Sequence, residues 1–208
     1  MSQASVSGKE MQPRSEDSVK PSPLPAGLGL LFKALKEPGN VLQVLRAQQQ
    51  LRRCTSVPIS VRVRGRVFVE NHGEMLIGER VRIDGRMNPV EIVAWKGSRL
   101  SIGDGTFLNY GTSLSAHEEV SIGHDCLIGN YVTIMDNDYH DVSDRNSLGP
   151  SSPIRIGNGV WIGIRSVVLR GVNIGDRSVI GAGSVVISDI PPNSVAVGVP
   201  AKVVRTLT

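Results

Sequence analysis

From Ile156 to Val186 every sixth residue is aliphatic: Ile156, Ile162, Val168, Ile174, Ile180 and Val186. The same spacing links Ile77 to Ile83, Ile102 to Leu108 and Leu114, and Ile122 to Ile128 and Ile134. In the longest run the next residue is Gly at four of six places (Gly157, Gly163, Gly175, Gly181), and the residue four positions on is small or aliphatic (Val160, Ser166, Val172, Ser178, Ser184, Ile190). A unit of one short strand and one tight corner turns the chain through about a third of a circle, so three units close a triangular coil. The aliphatic residue then points inward onto its counterpart in the next coil, the small residue fits the corner, and Gly supplies the backbone freedom of the turn. One coil alone cannot bury its interior, whereas stacked coils bury a continuous one. The expected fold is therefore all-β, a parallel β-helix solenoid.

Composition agrees with thin aliphatic layers: aromatics are 4% and glycines number 23 in 208 residues. That length suits one domain with an appendage. The net charge of +4 is local, because residues 26–53 carry five basic groups against one acidic, while residues 54–208 carry 15 of each sign. A nucleic-acid surface would need a basic stripe with stacking aromatics on the main domain, which the pattern does not offer. Cys54 and Cys126 lack metal-ligand spacing and are too few for a disulfide framework, so a reducing, cytoplasmic setting is expected. No apolar run reaches the ~18 residues of a membrane span. "LGLLFKAL" is interrupted by Lys33 and is a poor signal-peptide core.

Residues 1–25 are polar and rich in Ser, Pro and Gln, which predicts a disordered leader. Residues 26–55 read as a helical segment, with helices over 27–36 and 40–53 on either side of the break "EPGN". In the second, Val41, Leu42, Val44, Leu45 and Leu51 gather on one side. A lid over the end of the solenoid is favoured over contact of residues 27–53 with a membrane surface. The solenoid domain spans 56–206.

The longest break in the repeat falls after Ile134. Ile134 and Ile156 are 22 positions apart, not a multiple of six, and the in-phase places hold His140, Asn146 and Ser152, none of which can stack in an aliphatic core. Residues 136–153 must therefore leave the coil as a polar loop, and loops held by rigid scaffolds commonly carry chemistry. His140 in that loop can serve as a general base near neutral pH. Asp136, Asp138 and Asp141 are candidates to orient it.

With the repeat, "LIGNYVTIMDNDYH", "VWIG" and "GAGSVVISDIPPNSVAVGVPAKVVR", the chain resembles the hexapeptide-repeat acyltransferases, in particular the galactoside, maltose and capsule or lipopolysaccharide O-acetyltransferases. The resemblance covers residues 60–206, about 70% of the chain. It implies a left-handed coil, a homotrimer with active sites between subunits, and transfer of an acetyl group from acetyl-CoA to a hydroxyl of a sugar or glycan, with no metal required. His140 matches the family's base. Asn109 matches an acceptor-pocket residue, although Asn after Leu108 also suits a plain corner because it tolerates left-handed backbone. His117 coincides with a polar acceptor contact that is acidic in galactoside enzymes, which argues against a galactoside acceptor. Trp161, which must point outward, is placed by the resemblance near the thioester. Gly163 and Ala182 would border the pantetheine arm, and Lys202 and Arg205 would meet the coenzyme phosphates. Ile187, Ser188 and Asp189 replace a Thr-Lys-Asp of relatives and remove one basic contact.

Two other readings exist. A zinc-dependent carbonic anhydrase on this coil needs three converging histidines; His124 could mimic one, but Gly129 stands where a second is expected. A non-catalytic binding solenoid would leave the loop without purpose. Cys126 falls in a small-residue slot and reads as packing.

Overall fold

A computed structural model describes residues 38–207. The expected leader and the helix over 27–36 lie outside the described residues. Helix α1 (Pro38–Gln50) precedes 17 strands. The helix starts two residues before the expected position, because Pro at the first helical place gives up an N–H that would be unpaired anyway. It also ends three residues before the expected Arg53; the side chain of its last residue, Gln50, accepts the Val67 N–H at 2.6 Å and donates to the Gly65 carbonyl at 3.1 Å, tying the helix end to β1.

Beyond α1, β1 (Arg62–Asn71) and β3 (Arg82–Ala94) each run along two faces of a triangular coil. Face one stacks β2 (Glu74–Ile77), β4 (Arg99–Ile102), β7 (Glu119–Ile122), β10 (Ile154–Ile156) and β13 (Asn173–Ile174), all parallel. Face two continues the first halves of β1 and β3 through β5 (Phe107–Leu108), β8 (Leu127–Ile128), β11 (Trp161–Ile162), β14 (Val179–Ile180) and β16 (Ser194–Gly198). Face three continues their second halves through β6 (Ser113–Ala116), β9 (Thr133–Met135), β12 (Val167–Val168) and β15 (Val185–Val186). Finally, β17 (Ala201–Thr206) folds back antiparallel on β16.

In-register pairing turns the sequence period into three internal ladders. Ile77, Ile102, Ile122, Ile156, Ile174 and Ile190 form one. Val63, Ile83, Leu108, Ile128, Ile162, Ile180 and Ala196 form the second. Ile92, Leu114, Ile134, Val168 and Val186 form the third. Every one of these side chains is buried, each worth about 1.5–3 kcal/mol for the larger aliphatics. Ile190, grouped by sequence with the corner residues, is instead the inward residue of the last coil, opposite Ile174.

The corner glycines act differently from expectation. The residue with left-handed backbone comes three places after the inward aliphatic, as at Arg165 (φ 57°), Arg177 (56°) and Gly183 (69°). Gly163, directly after Ile162, is required by space: a Cβ there would lie 2.6 Å from the Ala182 nitrogen in the next coil.

At the N-terminal end, Ala47 and Leu51 are fully buried in the solenoid core. Leu42 and Leu45 stay exposed, so the apolar side expected of this helix splits: positions 47 and 51, one helical turn apart, face β1 and the other leucines do not.

Candidate active site

Consecutive coils place the same corner in columns, so the three corners can be treated as three surfaces. The corner between faces one and two is capped by side-chain oxygens and one imidazole. Asp104 accepts from Glu79 N–H, Asn158 from His124 N–H and Asp176 from Asn158 N–H, at 2.7–2.9 Å. His124 Nδ1 accepts the Asp104 N–H at 3.1 Å, so this histidine is a link in the cap ladder. Among the described residues no three His, Cys, Asp or Glu stand close enough to hold a metal ion. Cys126 is buried and its thiol is pushed up by that burial, consistent with packing.

The loop 136–153 leaves at the corner between faces three and one. Its first residue, Asp136, is fully buried and accepts three backbone N–H groups, from His117 (2.7 Å), Glu118 (2.7 Å) and Glu119 (2.8 Å). This carboxylate welds the loop base to the same corner of the preceding coil. Asn137, also buried, donates to the Gly149 carbonyl at 2.8 Å and closes the neck of the loop. Asp138 pairs with Arg170 one coil further on, at 2.7 Å. Asp141 turns onto its own loop, where the Ser143 and then the Asp144 N–H hold its carboxyl below the usual range.

None of the three aspartates bonds to the imidazole of His140. The ring is oriented by the Arg145 carbonyl, 2.8 Å from Nδ1. A carbonyl only accepts, so in the neutral ring Nδ1 carries the proton and Nε2 has the lone pair. His140 is exposed and lines an open cleft with Asp141, Val142 and Arg145. An exposed imidazole held through one nitrogen keeps the other for an incoming group, from which it can remove a proton.

Beside it stands an aromatic column that sequence reading missed. Trp95 stacks on His117 with ring centroids 4.8 Å apart, and Tyr139 meets His117 edge-on at 5.3 Å. Tyr139 holds φ 60° and anchors its hydroxyl on Ser115 Oγ at 2.8 Å, so the residue before His140 is clamped at both backbone and ring. His117 Nε2 is buried with no hydrogen-bond partner. Desolvation lowers the His117 pKa, partly opposed by the Asp136 charge. Trp95, one of only two tryptophans, was the available signal: it occupies the same corner as His117 one coil earlier.

The remaining expected site residues lie elsewhere in the chain. Asn109 is at the corner between faces two and three. Its backbone is not left-handed, contrary to expectation, because the left-handed residue of this corner is again three places after the inward aliphatic, at Gly111 (φ 69°); the Asn109 Oδ1 accepts the Tyr110 N–H at 2.9 Å. Trp161 is 53% exposed on face two, between Leu127 and Val179. Gly163 sits beneath Ala182, and a Cβ on Gly183 would meet nothing, so the surface at 182–183 is flat. Lys202 and Arg205 stand exposed on β17 at the same sheet. His140 and His117 thus occupy one corner, and Asn109, Gly163 and Ala182 another, with face three between them.

Residues 153–188 match the family model described as bacterial transferase hexapeptide (six repeats). A galactoside O-acetyltransferase of Escherichia coli is 44% identical over 113 residues, 53% of this chain and 56% of that protein. The chain thus spans about half the length of the curated relatives it matches. A galactoside acetyltransferase solved in complex with coenzyme A is 30% identical, covering 83% of this chain and 84% of that one, with a TM-score of 0.51. A hexapeptide-repeat-containing acetyltransferase of Vibrio cholerae is 25% identical, covering 85% and 99%, with a TM-score of 0.51. The solenoid is a left-handed parallel β-helix of about six turns.

Proposed function

This chain belongs to the hexapeptide-repeat acyltransferase family, and we propose that it transfers an acetyl group from acetyl-CoA to a hydroxyl of a sugar or glycan-type acceptor. The observation that carries the reading is the His140 ring, whose Nδ1 is committed to the Arg145 carbonyl while the exposed residue lines an open cleft. Nε2 takes the acceptor's hydroxyl proton as the oxygen forms its bond to the thioester carbon. The carbon–sulfur bond breaks, and the same proton returns to the departing thiolate. No covalent bond to the enzyme is needed.

Coenzyme A fits the flat surface at Ala182 and Gly183, with exposed Trp161 near the thioester and Lys202 and Arg205 on the phosphates. Asn109 and His117 would line the acceptor pocket, as the family resemblance implies. Because these groups occupy two corners of one chain, a complete site requires the Asn109 corner of one copy against the His140 corner of another. A homotrimer with sites between subunits meets that requirement. No helix of the described residues is long and apolar enough to cross a membrane, and a cytoplasmic setting follows the sparing use of cysteine.

Thiol release from acetyl-CoA with a panel of sugar acceptors tests the reading. His140→Ala lowers turnover by about 10²–10⁴-fold with the oligomer intact; an active His140→Ala protein overturns the mechanism.

A further inference from the structure

The first two coils carry an arginine cluster that the acetyl-transfer site does not use. On face two, Arg62 and Arg82 are register partners, and Arg64 stands opposite Asp84. These residues line a cleft of about 320 Å³ closed on its far side by Asn40 and Gln43 of α1. Each guanidinium is held in place by an uncharged partner. Arg62 donates to the Ile59 and Val61 carbonyls at 3.0 and 3.1 Å, Arg64 to Gln43 Oε1 at 3.1 Å, and Arg82 lies over the Phe107 ring at 5.4 Å. The one carboxylate in the cleft, Asp84, is already taken: Arg86 binds both its oxygens at 2.7–3.1 Å and holds its carboxyl below the usual range. None of Arg62, Arg64 and Arg82 forms an ion pair among the described residues, so three oriented cations face one concave space.

We propose that this cleft binds a phosphoryl group carried by the acceptor, so that the substrate is a phosphorylated sugar such as a sugar linked to a diphosphate. The proposal rests on the acetyl-transfer reading above. Planar guanidinium forks match phosphate oxygens, and a concave site between a helix and a coil suits a compact anion rather than a flat lipid surface. Position along the solenoid selects the acceptor over the coenzyme. Arg62, Arg82, Phe107, Leu127 and Trp161 form one outward column on face two. Arg82 and Trp161 are three strand steps apart, about 14 Å at ~4.8 Å per step. A sugar extending from a diphosphate held at Arg62 and Arg82 therefore reaches toward the thioester expected at Trp161. Lys202 and Arg205, the expected phosphate contacts of the coenzyme, lie on β17, on the opposite side of Trp161 from the cleft.

Calorimetric titration of the full chain with inorganic pyrophosphate, in saturating coenzyme A, tests the site without turnover. One equivalent is expected to bind per chain. Arg62→Gln/Arg82→Gln weakens binding at least tenfold, and Arg82→Lys, which keeps charge and stem packing, weakens it less. Arg99→Gln on face one, a charge-matched control, leaves it unchanged. Equal affinity of wild type and double variant, no pyrophosphate binding, or its displacement by coenzyme A each overturns the proposal. A nucleoside diphosphate hexose competes with pyrophosphate where the free hexose does not; failure to compete removes the acceptor assignment. If competition holds while acetyl-CoA supports no transfer to any sugar, it is the acetyl-transfer reading that fails.

Discussion

The carboxylate of Asp136 accepts the backbone N–H of His117 at 2.7 Å, fastening the base of the His140 loop to the coil above it. Two further N–H groups, of Glu118 and Glu119, converge on its other oxygen. In Asp136→Ala all three buried donors lose a charged partner. Since a hydrogen bond to a charged group is worth roughly 1.5–3 kcal/mol, the variant is expected to lose about 3 kcal/mol or more. Urea unfolding monitored by circular dichroism measures it, and a loss under about 1 kcal/mol contradicts the fastening role.

Two glycines separate the requirements of space and backbone. Gly163→Ala forces a Cβ within 2.6 Å of the Ala182 nitrogen, and the coil spacing must open. Gly183→Ala meets no atom and carries only the cost of φ 69° for a residue with a side chain. The expected losses are about 1–3 kcal/mol or more at 163 and roughly 1 kcal/mol at 183. Thermal melts of both variants check the order, and a Gly183→Ala protein less stable than Gly163→Ala would reverse the assignment.

His117 gives the fold a pH dependence. Its folded-state pKa is lowered, chiefly by desolvation, so the unfolded chain binds the proton more readily than the native one. The neutral ring's contribution is therefore present above the unfolded value of about 6.5 and lost as pH falls below it through the folded value. Melting temperature should drop over that acidic window. His117→Gln, which cannot take up a proton there, should flatten the profile; an unchanged slope would place the titrating group elsewhere.

The solenoid was legible because its period is a consequence of stacking. Each inward aliphatic, from Ile77 to Val186, needs a counterpart in the adjacent coil, and in-register pairing writes that need at fixed intervals. The exit of the loop was legible for the same reason, since His140 could not enter such a ladder. The neighbourhood of His140 was not. Asp138 and Asp141 are closer to it in sequence than Arg145, yet one pairs with Arg170, the other binds its own loop, and a main-chain carbonyl orients the ring. Nothing in side-chain identity announces which carbonyl that is.

By itself, then, the sequence determined the coil, the inward ladders and the residue that must stand outside them, because those follow from local periodicity and the burial of aliphatic surface. The tertiary structure decided the rest: that Gly163 is there for clearance and Asp136 for anchoring, that Trp95, His117 and Tyr139 share one corner, and that Asn109 lies at another. Corner columns join residues one coil apart, and coil lengths vary where β3 bends and where the loop departs. Contacts across coils therefore depend on the accumulated register of the chain, which no single motif records.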